Sequence, residues 1–277
     1  MAVFNGKLYG ATGPINGLLL EWNGTNAWVQ KAPTYGSETS IYSMAVFNGK
    51  LYGGTIPNGL LLEWNGTNAW VQKAPKYGSE THIYSLAVFN GKLYGGTTPS
   101  GNLLEWNGTN AWVQKAPKCG SETVVYSLAV FNGKLYGGTG PGGNLLEWNG
   151  TNAWVQKAPK YGSETIVYSL AVFNGKLYGG TGFVSGSLLE WNGTNAWVQK
   201  APAYGTNSRA RALVVFNNTL YVTGYTSNLL LAWNNIDAWQ LRAPKLGAET
   251  YSAALVIHKQ KLYAGTGING NLFEWST

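Results

Sequence analysis

Apolar residues in this chain fall into short runs, each closed by a turn-forming pair. Across residues 125–165 the runs read YSLAVF, KLYGGT, NLLEW and AWVQKAP, separated by Asn-Gly, Gly-Pro-Gly-Gly and Asn-Gly-Thr-Asn. Each run is rich in β-branched or aromatic residues, which suits a pleated, half-buried strand. Asn-Gly is the favoured centre of a tight hairpin, because both residues tolerate positive φ. No run has the length and spacing of an amphipathic helix. The stretch predicts a four-stranded antiparallel meander.

That unit recurs through all 277 residues. The Leu-Tyr pair of the second strand begins at Leu8, Leu51, Leu93, Leu135, Leu177, Leu220 and Leu262, a spacing of 42 or 43 residues. A third-strand tryptophan keeps the same beat at Trp22, Trp64, Trp106, Trp148, Trp191, Trp233 and Trp275. The fourth-strand tryptophan occurs six times, from Trp28 to Trp239, and has no counterpart after Trp275. Repeats of this length with four strands each predict an all-β chain, a seven-bladed β-propeller of four-stranded antiparallel blades whose last blade is three-stranded. The expected blades are 1–33, 40–75, 82–117, 124–159, 166–202, 209–244 and 251–277, together one propeller domain over 1–277.

The LYGGT motif, a variable loop and then LLEWNGTNAWVQKAP resemble the kelch repeat, with its diglycine closing strand two and its spaced aromatic residues. The likeness extends over all seven units, although Trp stands where kelch repeats usually carry Tyr. The short repeat is also similar to lectin propellers of the tachylectin type. The kelch resemblance implies a scaffold that binds a protein or peptide surface. The lectin resemblance implies multivalent carbohydrate binding.

Charged residues make up only 11% of the chain, well below the usual quarter, as expected where sheet faces are buried against their neighbours. The formal charge of +7 comes from lysines spread along the repeats, so no basic run points to nucleic acid. Cys119 is the single cysteine, which excludes a disulfide framework within the chain. The opening MAVFNGKLYG reads as a strand rather than a leader, and no apolar stretch approaches membrane-spanning length. A cytoplasmic address is the expectation, with release by a signal-independent route left open.

Little in the chain suggests catalysis. His82 and His258 sit outside any metal-ligand spacing, and Asp237 is the only aspartate. No enzyme activity, catalytic residue, metal or cofactor is expected. Comparison between copies is more informative. Hairpins FNGK and WNGTNA are expected on one face, and the loops after strand two, with the GSET connections between blades, on the other. One column in that second set differs in every available copy: Ser40, His82, Val124, Ile166, Arg209 and Tyr251. The connections also repeat a carboxylate at Glu38, Glu80, Glu122, Glu164 and Glu249. These eleven residues are the candidate ligand-binding set, because loops on a rigid scaffold carry contacts. Variation in the column also fits drift at exposed positions, and the glutamates also fit a role tying down loop backbone.

Two further patterns read as structural. The thirteen tryptophans keep strict places in strands three and four, as packing residues would. A strand-two lysine and a strand-three glutamate, such as Lys134 and Glu147, vanish together in blade six as Thr219 and Ala232. They are expected directly opposite one another as a cross-strand ion pair. The chain therefore reads as a non-enzymatic recognition module for a protein or peptide, the alternative being a multivalent lectin. The exposed edge of the last blade is expected to allow self-association.

Overall fold

The computed structural model describes residues 1–205, 208–224, 229–243, 252–267 and 270–276. The described residues form twenty-seven strands and no helix. Six sheets have four strands in sequence order and the seventh has three, Ser252–His258, Lys261–Thr266 and Leu272–Trp275. The fold is a seven-bladed β-propeller. Blade two illustrates the pattern with strands Ser40–Phe47, Lys50–Ile56, Leu61–Trp64 and Trp70–Ala74. By contact density the chain divides into two compact units, Met1–Val125 with Asn149–Trp154, and Tyr126–Trp148 with Val155–Thr277.

The turns follow directly from their residues. In the first hairpin of blade two, Asn48 and Gly49 take φ of 47° and 69°, the left-handed pair that matches strand twist. In the WNGTNA hairpin, Asn65 Oδ1 accepts the backbone N–H groups of Thr67, Asn68 and Ala69 at 2.9, 3.0 and 3.1 Å. The repeated asparagine is thus an Asx-turn residue, its side chain replacing the partners the turn backbone lacks.

Within the first unit, apolar cores lie between successive blades. Phe4 and Tyr9 of blade one pack on Trp64 of blade two, with ring centroids 6.1 and 5.3 Å apart, over buried Leu19, Leu51 and Leu62. Phe47 and Tyr52 repeat the contact on Trp106. In the second unit Phe131 and Tyr136 meet Trp191, and Phe173 and Tyr178 meet Trp233. These tryptophans are buried, and each contributes about 4–6 kcal/mol gross from roughly 150–250 Å² of apolar surface.

The diglycine of LYGGT has a packing cause. A Cβ on Gly53 would lie 2.7 Å from Ile41 Cγ2 of its own blade and 3.3 Å from Trp70. A Cβ on Gly54 would lie 2.6 Å from Ile83 Cγ2 of the next blade and 2.6 Å from Ser43 Oγ. Blade six fills both positions, with Val222 and Thr223, and there Ala210 and Ala212 replace the opposing Ile and Ser. Ser43 also donates its hydroxyl to the Ile83 carbonyl at 3.0 Å, and Ser169 does the same to Ala210, so neighbouring blades share a hydrogen bond at their first strands.

Candidate functional site

The strand-two and strand-three charges form a local cluster. Lys134 Nζ lies 2.8 Å from Glu147 Oε1, and the same pair recurs at Lys50–Glu63, Lys92–Glu105 and Lys176–Glu190. One detail of the expectation is corrected: Tyr136, not Lys134, stands directly opposite Glu147, and the lysine reaches the carboxylate diagonally. The tyrosine hydroxyl donates to Glu147 Oε2 at 2.6 Å, and a second lysine, Lys157, comes within 3.7 Å from the fourth strand. Burial pushes the carboxyl upward, but the two lysines and the tyrosine outweigh it and hold Glu147 below the usual carboxylate range. Burial and the adjacent carboxylate push the Tyr136 hydroxyl well above its usual value. With every oxygen engaged inside the blade, this cluster is structural.

The GSET carboxylates are buried rather than presented. Glu80 is only 1% exposed, and its Oε1 accepts the Asn102 side-chain amide at 2.7 Å while Oε2 accepts the Ser100 backbone N–H at 3.3 Å. Glu38 holds Asn58 in the same way through Oε1 at 2.6 Å and Oε2 at 3.3 Å. Glu164 accepts the Ser185 hydroxyl, and Glu122 is likewise buried. Each of Glu38, Glu80 and Glu164 ties the connection leading into a blade to that blade's loop after strand two. Glu249 lies outside the described residues.

The variable column sits at the start of the first strand. Ser40 and Ile166 are largely buried, while His82, Val124 and Arg209 are half-buried. Tyr251 lies outside the described residues. Two positions further on stands a residue that sequence patterning passed over: Tyr42, Tyr84, Tyr126 and Tyr168. In blade two Ile41 pairs with Thr55 and Ser43 with Gly54, which leaves Tyr42 as the extra residue of a β-bulge. Tyr84 and Tyr168 occupy the same bulged place. A bulge re-aims the side chain it carries and takes it out of the ladder. Tyr42 is 42% exposed and packs edge-on against Tyr84 at 4.7 Å. His82 stacks on Tyr84 at 5.2 Å, and burial lowers the imidazole's proton affinity, against an opposing hydrogen bond from Thr81. In the second unit Tyr126 meets Tyr168 at 5.1 Å, and the Arg209 guanidinium lies 5.4 Å over the Tyr168 ring.

Each unit therefore carries a pair of bulge or bulge-register tyrosines beside residues that vary from blade to blade. Such rings offer large, rigid, amphipathic contact area, and the variable neighbours add a different chemistry at each step. Among the described residues no group of three or more His, Cys, Asp or Glu could hold a metal. Cys119 is half-buried and its thiol is pushed up by burial and then by Glu122, which opposes thiolate chemistry. No described helix is long and apolar enough to cross a membrane.

No protein-family model matches the chain. No curated protein matches it. Solved structures match its fold. The chain is similar to the WD40 β-propeller domain of Doa1 at 13% identity and a TM-score of 0.72, covering 100% of this chain and 91% of that one. It is similar to YCF48 bound to D1 peptide at 16% identity and a TM-score of 0.68, covering 99% and 91%. It is also similar to virginiamycin B lyase from Staphylococcus aureus at 9% identity and a TM-score of 0.66, covering 85% and 84%. The shared fold thus serves both binding and catalysis, and function has to be argued from the site.

Proposed function

We propose that this chain is a non-enzymatic recognition module that binds protein or peptide partners at the loop ends of its blades. The observation that carries the reading is the repeated bulge tyrosine, Tyr42 and Tyr84 in one unit and Tyr168 in the other, each next to a position that differs in every blade. Of the variable column, His82, Val124 and Arg209 reach the surface and vary what their blades present, whereas Ser40 and Ile166 are buried. The glutamates Glu38, Glu80 and Glu164 serve that surface from beneath by fixing loop shape, and Glu122 is buried at the equivalent place. The peptide in the YCF48 complex supports the same use of this fold, and so does the kelch-like form of the repeats.

Diversified side chains favour a peptide over a sugar, because a repeating glycan would want identical sites. Parallel peptide and glycan arrays probed with the full chain test this. Sequence-selective peptide binding is expected. Reproducible binding of one sugar class, with none to peptides, would replace this reading by the multivalent lectin, whose weak sites gain from avidity.

A further inference from the structure

The strand-two loop of blade five and the first strand of blade six both depart from the repeat, and they meet at one place. Phe183 stands where Pro57, Pro99 and Pro141 stand in other blades. Its φ is 95°, which is unfavourable for a bulky L-residue, yet its side chain is 67% exposed and that of neighbouring Val184 is 51% exposed. A strained backbone that presents an apolar side chain to water is a feature found at ligand clamps. The loop is held in place, since Phe183 N–H donates to the Ser208 carbonyl at 3.3 Å and Gly182 bridges Arg209 in antiparallel fashion. A Cβ on Gly182 would lie 2.6 Å from the Tyr168 ring and 2.9 Å from Arg209 Cγ, so ring and arginine close directly over the backbone.

Arg209 lies over Tyr168, and Arg211 holds the bulge position of blade six that tyrosine holds elsewhere, since Ala210 pairs with Gly224 and Ala212 with Thr223. Arg209, the Tyr126–Tyr168 pair and the loop carrying Phe183 and Val184 thus meet in one unit, and Arg211 follows two residues beyond Arg209. We infer that this corner of blades five and six binds a short acidic peptide. A carboxylate side chain engages Arg209 and Arg211, and an adjacent apolar side chain rests on Phe183, Val184 and the Tyr168 ring. The inference rests on the recognition reading above and names its ligand chemistry. A phosphate or nucleic acid would use the arginines and leave Phe183 and Val184 unused. A neutral apolar peptide would do the reverse. An acidic, apolar segment uses both, and the net charge of +7 favours its approach.

Fluorescence polarisation with the full chain tests the inference, using a labelled peptide of alternating Leu and Glu as probe. Analogues carry Gln for Glu, or Ser for Leu. Each analogue is expected to bind about tenfold more weakly, the size of effect seen when a contact at the centre of an interface is removed. The pair Arg209→Met and Arg211→Met should weaken the acidic peptide by about tenfold or more, with an unfolding midpoint that moves far less than loss of a core side chain would require. Phe183→Gly relieves the backbone and should keep or raise the midpoint while weakening binding. Equal binding of the Gln analogue would overturn the inference, as would displacement of the probe by heparin at lower concentration than by unlabelled peptide. Binding lost on changing Tyr42 and His82 but indifferent to Arg209, Arg211 and Phe183 would sink this site while leaving the recognition reading standing. Absence of binding by all three peptides would sink it too, with the wider reading then judged on the arrays.

Discussion

Blade six shows how the diglycine can be replaced, and the same exchange can be imposed on blade two. Gly53→Val places a branched side chain where a single Cβ already meets Ile41 Cγ2 at 2.7 Å and Trp70 at 3.3 Å. Overpacking of that kind costs about 1–3 kcal/mol, and the β-branched side chain puts it at the upper end. Ile41→Ala alone removes most of a side chain that is 5% exposed, which costs about 2–4 kcal/mol including the cavity. The double variant recreates the Val222–Ala210 pair, both of which are buried in blade six. The valine then occupies the space the isoleucine vacates. Its net loss should stay below about 1 kcal/mol, where simple addition would give about 5–7 kcal/mol, a coupling of at least about 4 kcal/mol. At about 2–4 °C per kcal/mol for a chain of this size, the double variant should melt several degrees above either single one. Urea midpoints at constant m-value provide the assay. If the two losses simply add, the steric account of the diglycine is wrong.

The carboxylates of Glu21, Glu63, Glu105, Glu147, Glu190 and Glu274 are all held below their usual range, so each stabilises the fold above about pH 4.3 and loses that contribution as pH falls through its folded value. The melting temperature should therefore drop on acidification below about pH 4, and less steeply in Glu105→Gln; a flat profile would contradict the cluster. The hydroxyls of Tyr9, Tyr52, Tyr94, Tyr136 and Tyr178 are pushed well up by burial and then by their glutamates, and that of Tyr263 up to about 12. Stability from these groups is present below about pH 10 and is lost as pH rises toward the folded values. An ultraviolet titration should thus find about six fewer tyrosines ionising in the folded chain than in the unfolded one, whereas equal ionisation would contradict the hydrogen bonds to glutamate.

Much of the fold was legible from local chemistry. Asn-Gly turns and short β-branched runs place the FNGK and WNGTNA hairpins of blades one to five, and the Leu-Tyr and Trp columns count the blades. The link between lysine and glutamate was legible because blade six lost both. Its tyrosine partner was hidden, because Tyr221 persists there and an unchanging position leaves no trace of what it touches. Recognising that Lys134 and Tyr136 share one side of a strand would have shown the tyrosine as the residue facing Glu147. The diglycine was visible as a motif but not as a cause, since half of its steric conflict lies with the next blade. The candidate site was least legible. A bulge is a matter of register between two strands, and the tyrosine it exposes looks in the sequence like any other strand aromatic. The GSET glutamates carried two readings until their hydrogen bonds to Asn58, Asn102 and Ser185 appeared.

The central claim is that the bulge tyrosines form a contact surface and not a packing layer. Its most direct measurement is the affinity of the best peptide from the array for the unaltered chain and for a variant carrying Tyr42→Ser, Tyr84→Ser, Tyr126→Ser and Tyr168→Ser, with unfolding midpoints measured in parallel. The account predicts a loss of affinity of about tenfold or more, with a midpoint that shifts far less than removal of four core aromatics would require. Unchanged affinity together with a collapse in stability would place these rings in the core and contradict it.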